Sequence, residues 1–340
     1  MNELKFMKYL APNLTFCLIV VVSDITVVMA VKTVETGSEL LARLGTRVPL
    51  SNIVPELFGE GSSSGEIIEF FGEEGTGKTE LLLNLITRCI LPKVWQNIPV
   101  DGPESKVVFI STDYKFSILR LVLILEKKIT KILQSHFSEL SQNANDGDNV
   151  TKPDMESEVQ LFTDDCLQRV QVVYCSSSWQ LFLTLHSLEY QLTTDASYSL
   201  LVIDSISTFY WLDRFCANDN ISNQGLNIRR ITKILKKFVN DLNISVIATK
   251  LSLFKPKYSD NLDPTNNNSL IINPNAINNP GIYSTAKQSH TKYLDKVWEN
   301  FVCKRWVFTV ISAAESKFCL TGTNLKTLHF TITESGVKFL

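Results

Sequence analysis

The stretch GEEGTGKT, residues Gly72–Thr79, decides the fold of this chain. It matches the phosphate-binding pattern G-x-x-x-x-G-K-[ST], known as Walker A, in which backbone N–H groups point at phosphate oxygens. Its glycines are expected to adopt backbone angles that a side chain would forbid. Lys78 is expected to contact the β- and γ-phosphates of ATP, and the Thr79 hydroxyl to ligate Mg²⁺. The candidate nucleotide-binding residues are Gly72, Glu73, Glu74, Gly75, Thr76, Gly77, Lys78 and Thr79.

The sequence on both sides supports this interpretation of the loop. EIIEFF (Glu66–Phe71) has the apolar character of a buried strand, and TELLLNLITRCI (Thr79–Ile90) that of a helix, which Pro92 ends. A phosphate would then lie at a helix N-terminus, where backbone N–H groups are available to donate. A flexible glycine turn that matched by chance would need neither the strand nor the helix.

Two acidic residues complete the candidate site. LLVID ends at Asp204, and an apolar run ending in an acid is the Walker B form. Because the carboxyl ends of parallel strands meet at one edge of a sheet, Asp204 is expected beside the phosphate loop, where it and Thr79 would hold Mg²⁺. Asp113 follows a predicted strand, Lys106–Ser111, and is the candidate catalytic residue that orients an attacking water. The alternative for Asp113 is a solvated loop acid.

The remaining patterns predict an α/β fold. Strand-like apolar runs alternate with helical ones as far as Ile244–Thr249, which indicates a mostly parallel twisted sheet with helices on both faces. Two later strand patterns, Cys303–Ser312 and Thr327–Val337, are expected to extend this sheet as antiparallel strands at one edge.

Composition places the chain among globular intracellular proteins. Its 340 residues are 44% hydrophobic and 20% charged, with a net charge of −2, so no global positive field favours nucleic acid. The seven cysteines contain no C-x-x-C pair and the four histidines have no metal-ligand spacing. Reduced thiols are expected, with neither a disulfide framework nor a zinc site.

The first 34 residues are interpreted as an apolar extension of doubtful structure. Within it, LTFCLIVVVSDITVVMAV (Leu14–Val31) is compatible with a signal peptide or a membrane anchor. Ser23 and Asp24 divide this run into parts too short to cross a bilayer. We therefore expect an extra strand or a dispensable segment, and no association with a membrane.

Residues 35–340 are interpreted as one ATP-binding domain. It is expected to begin with a capped helix at Thr36–Leu44, whose apolar face includes Leu40 and Leu41. Two polar stretches, near residues 141–160 and 255–290, are predicted to be disordered insertions.

Several stretches resemble one known family. GEEGTGKTELLLNLITRCILP, STDYKFSILRLVLILE, VVYCSSS, LLVIDSISTFYWLDR and ESGVKF are similar to the X-ray repair cross-complementing proteins of group two. Those proteins are paralogues of the eukaryotic RecA-type recombinase. The resemblance implies a RecA-like P-loop NTPase core that binds ATP and Mg²⁺.

The same resemblance implies partners and a location. A member of this family would join a four-member complex of recombinase paralogues and contact the delta-type paralogue most directly. It would bind single-stranded or branched DNA, weakly when alone. The implied role is double-strand break repair by homologous recombination and protection of replication forks, in the nucleus.

Two departures from the recombinases bear on ATP hydrolysis. They have Glu where this chain has Asp113, so the carboxylate here lies about 1.5 Å farther from the attacking water. They place a γ-phosphate-sensing Gln where alignment of ISVIATKLS puts Leu251, whose side chain forms no hydrogen bond. We therefore expect ATP binding with weak or absent hydrolysis, and function mainly through assembly. The alternatives are an active DNA-dependent ATPase and a small-molecule P-loop kinase, although no Arg-rich lid is visible for a kinase.

Two further features have a structural and a functional interpretation. Five basic residues share one predicted helix: Arg229, Arg230, Lys233, Lys236 and Lys237. A solvated helix face is favoured over a phosphate contact. STFYW after the Walker B run is interpreted as a buried aromatic cluster, with base stacking as the alternative.

Overall fold

The computed structural model describes residues 36–44, 47–59, 64–143, 155–216, 221–252, 294, 296–323 and 326–340. The predicted extension, residues 1–34, lies outside the described residues. So do residues 144–154 and 253–293, which contain most of the two predicted insertions.

Helices and strands alternate through most of the described chain. The helices are α1 (Gly37–Leu44), α2 (Leu50–Ile53), α3 (Pro55–Phe58), α4 (Lys78–Ile90), α5 (Ile118–Asn143), α6 (Met155–Leu167), α7 (Ser178–Thr194), α8 (Tyr210–Cys216), α9 (Ile221–Leu242) and α10 (Lys296–Phe301). The strands are β1 (Ile67–Gly72), β2 (Val94–Trp95), β3 (Ile98–Pro99), β4 (Lys106–Ser111), β5 (Val170–Tyr174), β6 (Tyr198–Asp204), β7 (Ser245–Leu251), β8 (Lys304–Ser312), β9 (Lys317–Gly322), β10 (Thr327–Thr333) and β11 (Gly336–Phe339).

Nine of the described strands form one sheet in the order β11-β10-β9-β8-β1-β7-β6-β4-β5. Across the sheet, the neighbours in the series β5-β4-β6-β7-β1-β8 are parallel. The neighbours in the series β8-β9-β10-β11 are antiparallel. This confirms the predicted α/β fold with antiparallel strands at the C-terminal edge. The prediction was incomplete in that edge, because β8 pairs in parallel with β1, β9 was not predicted, and the Thr327–Val337 pattern is divided between β10 and β11.

Burial explains why the central strands are mostly apolar. Every residue of β1 and β6 is buried, because helices cover both faces of a parallel sheet. One apolar cluster packs helices α2 through α6 against one face of the sheet. A second cluster packs α7, α9 and α10 against the other face. The loops that follow the parallel strands are thereby brought to one edge of a rigid sheet.

Parts of the first predicted insertion, near residues 141–160, are helical in the structure. Helix α5 continues to Asn143, and α6 begins at Met155. Phe162 and Cys166 of α6 are fully buried, which gives this polar segment an apolar attachment to the domain. The sparse apolar residues of α6 produce only a weak helical period, so the pattern at its start was interpreted as disorder.

The aromatic run STFYW lies at the start of α8, and the five basic residues lie on α9. Phe209 and Tyr210 are buried, whereas Trp211 is 53% exposed, so the aromatic run is only in part a buried cluster. The five basic residues of α9 are exposed; Arg230 lies over the ring of Trp179 and Lys237 pairs with Glu189. This arrangement fits a solvated helix face. Among the described residues, no helix is both long and apolar enough to cross a bilayer.

Candidate functional site

The Walker A loop connects β1 to α4 at the carboxyl edge of the sheet. Gly75 and Gly77 have φ of +76° and +85°, in the left-handed region that favours glycine. Gly72 corrects the sequence-based explanation, because its backbone is not in that region. A Cβ at Gly72 would lie 2.7 Å from the carbonyl oxygen of Phe308, so this glycine is required by the close approach of β8.

The Lys78 ammonium lies inside this loop. It donates hydrogen bonds to the carbonyl oxygens of Gly72 at 3.0 Å and Glu73 at 2.5 Å, and to Thr76 Oγ1 at 3.1 Å. Burial lowers the pKa of Lys78 to about 8, although the nearby Asp204 carboxylate acts to raise it. A cation surrounded by neutral oxygens in a desolvated loop gains strongly from an anion, so the loop fits a phosphate group.

Thr79 and Asp204 are in direct contact although they are 125 positions apart in sequence. Thr79 Oγ1 donates to Asp204 Oδ2 at 2.8 Å, and Thr249 Oγ1 donates to the other carboxylate oxygen. Burial raises the pKa of Asp204, while these two hydroxyl groups favour its ionised form. A hydroxyl and a buried carboxylate beside a phosphate loop form a set of hard oxygen donors that suits Mg²⁺.

Asp113 lies on the same edge of the sheet, after β4. Its Oδ1 accepts a hydrogen bond from the backbone N–H of Lys115 at 3.1 Å, which shapes the turn before α5. Its charge acts to raise the pKa of both Lys78 and Asp204. The structure therefore brings the candidate catalytic acid close to the other predicted site residues.

The remaining loop residues contribute through their backbone or with exposed side chains. The Glu73 carbonyl oxygen accepts hydrogen bonds from Thr76 Oγ1 at 2.8 Å and from Lys78. The Glu74 carboxylate instead forms an ion pair with Lys115, and this hydrogen bond lowers its pKa. Sequence reasoning did not identify Lys115, because nothing in its local pattern shows that its side chain reaches the phosphate loop.

Leu251 lies beside the start of the phosphate loop. It is the partner of Gly72 in the parallel pairing of β1 with β7, and its backbone N–H donates to Ser207 Oγ at 2.9 Å. The position that the resemblance aligns with the sensing Gln of the recombinases is therefore adjacent to the candidate nucleotide site. In this chain that position has an apolar side chain.

The C-terminal strands cover the beginning of α4. A Cβ at Gly77 would lie 3.1 Å from Ile332 and 3.2 Å from Phe330 of β10. Arg120 of α5 donates to both carboxylate oxygens of Glu80 and to the carbonyl oxygen of Thr333 at 2.7 Å. These contacts connect α4, α5 and the β10–β11 turn, and sequence reasoning missed Arg120 because its partners come from distant segments.

Comparisons with known proteins agree with this arrangement. The Rad51 family profile matches residues 46–132, which include the Walker A loop. The chain is 36% identical to the DNA repair protein XRCC2 of Mus musculus over 313 residues, which cover 90% of this chain and 97% of the mouse protein. It is 25% identical to the XRCC2 homolog of Arabidopsis thaliana, over 79% of this chain and 75% of that protein. The DNA repair protein RAD51 of Saccharomyces cerevisiae is 24% identical over 57% of this chain and 39% of its own length. The chain therefore belongs to the XRCC2 family of DNA repair proteins, which are paralogues of the RecA-type recombinase.

Proposed function

We propose that this chain is an ATP-binding subunit of a recombinase-paralogue complex and acts mainly through assembly. The observation that carries the proposal is an intact phosphate loop next to Leu251, an apolar residue at the position aligned with the γ-phosphate-sensing Gln. Lys78, Thr79 and Asp204 meet at one edge of the sheet, and Leu251 lies next to them. Such a site would hold a nucleotide, whereas the side chain of Leu251 cannot report its γ-phosphate through a hydrogen bond.

Mg²⁺ and ATP are the proposed ligands. The loop from Gly72 to Thr79 would hold the phosphates, with Thr79 and Asp204 as the residues that ligate the metal. Bound Mg²⁺ would neutralise phosphate charge. Thr249 would orient Asp204, because its hydroxyl group occupies the carboxylate oxygen that Thr79 does not use.

Hydrolysis is proposed to be weak or absent. Asp113 is the candidate that would orient water, but it has the shorter acidic side chain, and its Oδ1 already accepts the N–H of Lys115. A DNA-dependent ATPase is the second candidate, favoured by the electrostatic proximity of Asp113 to Asp204. Family membership gives no support to a small-molecule kinase.

The proposed partners are other recombinase paralogues. We place the chain in a four-member complex, in direct contact with the delta-type paralogue, that binds single-stranded or branched DNA. Its proposed role is homologous recombination at double-strand breaks and protection of replication forks in the nucleus. Family membership supports this role, and the exposed Leu40 and Leu41 of α1 provide an apolar surface for a partner.

Nucleotide titration and cell complementation test the proposal. The purified chain should bind Mg-ATP, with hydrolysis well below that of a recombinase with and without single-stranded DNA. Lys78→Ala should abolish binding but retain much of the repair function, whereas loss of partner contacts should remove repair. Recombinase-level hydrolysis that Lys78→Ala removes would support the ATPase instead. Loss of repair in Lys78→Ala with an intact complex would refute action through assembly.

A further inference from the structure

Lys115 extends from the β4–α5 loop to the phosphate loop. Its ammonium forms an ion pair with the Glu74 carboxylate, on the exposed side of the Walker A loop. The loop that carries Lys115 is fixed from both sides, by the hydrogen bond from its backbone N–H to Asp113 and by the buried Phe116 that follows it. The backbone of Lys115 is thus held, whereas its side chain is 47% exposed and has room to change direction.

The charge of Lys115 acts on the centre of the candidate nucleotide site. It lowers the pKa of Lys78, and the carboxylates of Asp113 and Asp204 act to raise the pKa of Lys115. The hydrogen bond to Glu74, a residue of the Walker A loop, places the Lys115 ammonium beside that loop.

Among the described residues, acids outnumber the lysines around the phosphate loop. Around the loop, Lys78 is buried, while Glu74, Asp113 and Asp204 are three acids within electrostatic reach of it. The neighbouring Leu251 supplies neither a charge nor a hydrogen bond from its side chain. A terminal phosphate added to a diphosphate therefore increases the negative charge near Lys115, which with Lys78 is one of two described lysines at this loop.

We propose that Lys115 binds the terminal phosphate of a nucleoside triphosphate by exchanging the Glu74 carboxylate for a phosphate oxygen. This inference rests on the proposed nucleotide binding and names the residue that distinguishes ATP from ADP. The exchange costs little, because exposed ion pairs are weak, while a lysine–phosphate hydrogen bond is charge-assisted on both sides. Glu74 is released by the same step and becomes a free acid on the surface of the loop.

Isothermal titration of the full-length chain with Mg-ATP and with Mg-ADP tests the proposal. Lys115→Gln should weaken Mg-ATP by about tenfold and Mg-ADP by less than about twofold, since one charge-assisted hydrogen bond is lost only with the triphosphate. Glu74→Gln should tighten Mg-ATP, because Lys115 no longer has a competing partner. Lys127→Gln is the matched control, as Lys127 is a partly exposed lysine paired with an exposed carboxylate, Glu334, and should change neither affinity.

The outcomes separate this inference from the function on which it rests. A wild-type chain that binds neither nucleotide overturns both. A wild-type chain that prefers ATP, with Lys115→Gln keeping that preference, overturns the role of Lys115 alone. Equal weakening of ATP and ADP, or no preference in the wild type, also overturns it. Circular dichroism of each variant verifies that the fold is retained.

Discussion

Arg47, between α1 and α2, satisfies backbone groups at the ends of two helices and the start of a strand. Its guanidinium donates to the carbonyl oxygens of Leu242 at 2.5 Å, Leu192 at 2.6 Å, Asp195 at 3.2 Å and Tyr198. The side chain is 3% exposed, and burial lowers its pKa to about 10. The carbonyls of Leu192, Asp195 and Leu242 lie at the C-termini of α7 and α9, where orphan acceptors need a donor and a cation is favoured.

Replacing Arg47 with Met should destabilise the domain by roughly 3 kcal/mol or more, because buried carbonyl groups lose a charged donor. Urea unfolding followed by circular dichroism measures this change. Arg230→Met is the control, since Arg230 is an exposed arginine on α9, and its midpoint should shift little. An Arg47→Met midpoint as close to wild type as that of the control would contradict the role assigned to Arg47.

Replacing Asp204 should have the opposite effect on stability from replacing Arg47. Burial raises the pKa of Asp204 in the folded state, so its ionisation opposes folding: stability falls as the pH rises from the unfolded pKa through the raised folded pKa. Asp204→Asn removes the buried charge and should leave the thermal midpoint unchanged or higher without nucleotide. The additional stabilisation by Mg²⁺ in the presence of ATP should disappear, because the metal loses an anionic ligand. Thermal melts with ATP, with and without Mg²⁺, test both parts, and a retained Mg²⁺ effect would refute metal binding by Asp204.

At the scale of elements, the buried parallel strands were the most predictable part of the chain. Runs such as KVVFIS and SLLVID are mostly apolar because both faces are covered, and they form β4 and most of β6. The contact between Thr79 and Asp204 was also predictable, because both motifs follow parallel strands whose carboxyl ends meet at one edge of the sheet. Strand β9 (KFCLTG) was missed because its identity depends on pairing with β8 and β10. Lys115 and Arg120 were missed because their roles depend on how loops place long side chains.

Helix α1 provides an exposed apolar surface, which we propose as a partner contact. Leu41 is 74% exposed and Leu40 is 40% exposed, so their burial in the domain does not account for both being apolar. Leu41→Asp should change the unfolding free energy by less than about 0.5 kcal/mol, as an exposed substitution. It should weaken binding to recombinase paralogues by at least about tenfold if α1 is central to the interface.

Co-purification from cells, with circular dichroism of the purified variant, measures the effect of Leu41→Asp. The matched control is Leu161→Asp on α6, where the leucine is 55% exposed and belongs to a different surface. If Leu41→Asp kept its partners, α1 would have no part in assembly. If both variants lost their partners equally, the effect would not be specific to α1.

At the scale of the molecule, two apolar clusters on opposite faces of one sheet contain the buried core. Their members extend from Leu50 to Val337, within the described residues. Antiparallel β9, β10 and β11 widen the sheet beyond β8 and bring Phe330 and Ile332 against the phosphate loop at Gly77. The nucleotide site is therefore built from both the parallel and the antiparallel parts of the chain.

Residues 1–34 precede the predicted capped helix and carry no motif, so we predict that they can be removed. A chain starting at Glu35 should unfold at the same urea concentration as the full chain and should complement a repair-deficient cell. A chain starting at Val48 is the informative control, because it loses Arg47 and should be less stable. Failure of the first truncation, with success of the full chain, would show that the extension has a function.

The position of β1 in the sheet has a consequence for biosynthesis. This apolar strand is among the first to leave the ribosome, yet both of its neighbours, β7 and β8, are made much later. Ile67 pairs with Val246, so roughly 180 residues must be translated before that pairing begins, which takes on the order of 10–40 s at ~5–20 residues per second. During that interval the segment IIEFF has no strand partner and is a natural substrate for chaperones that recognise extended apolar segments. The yield of this protein in cells should accordingly depend on chaperone capacity during its translation.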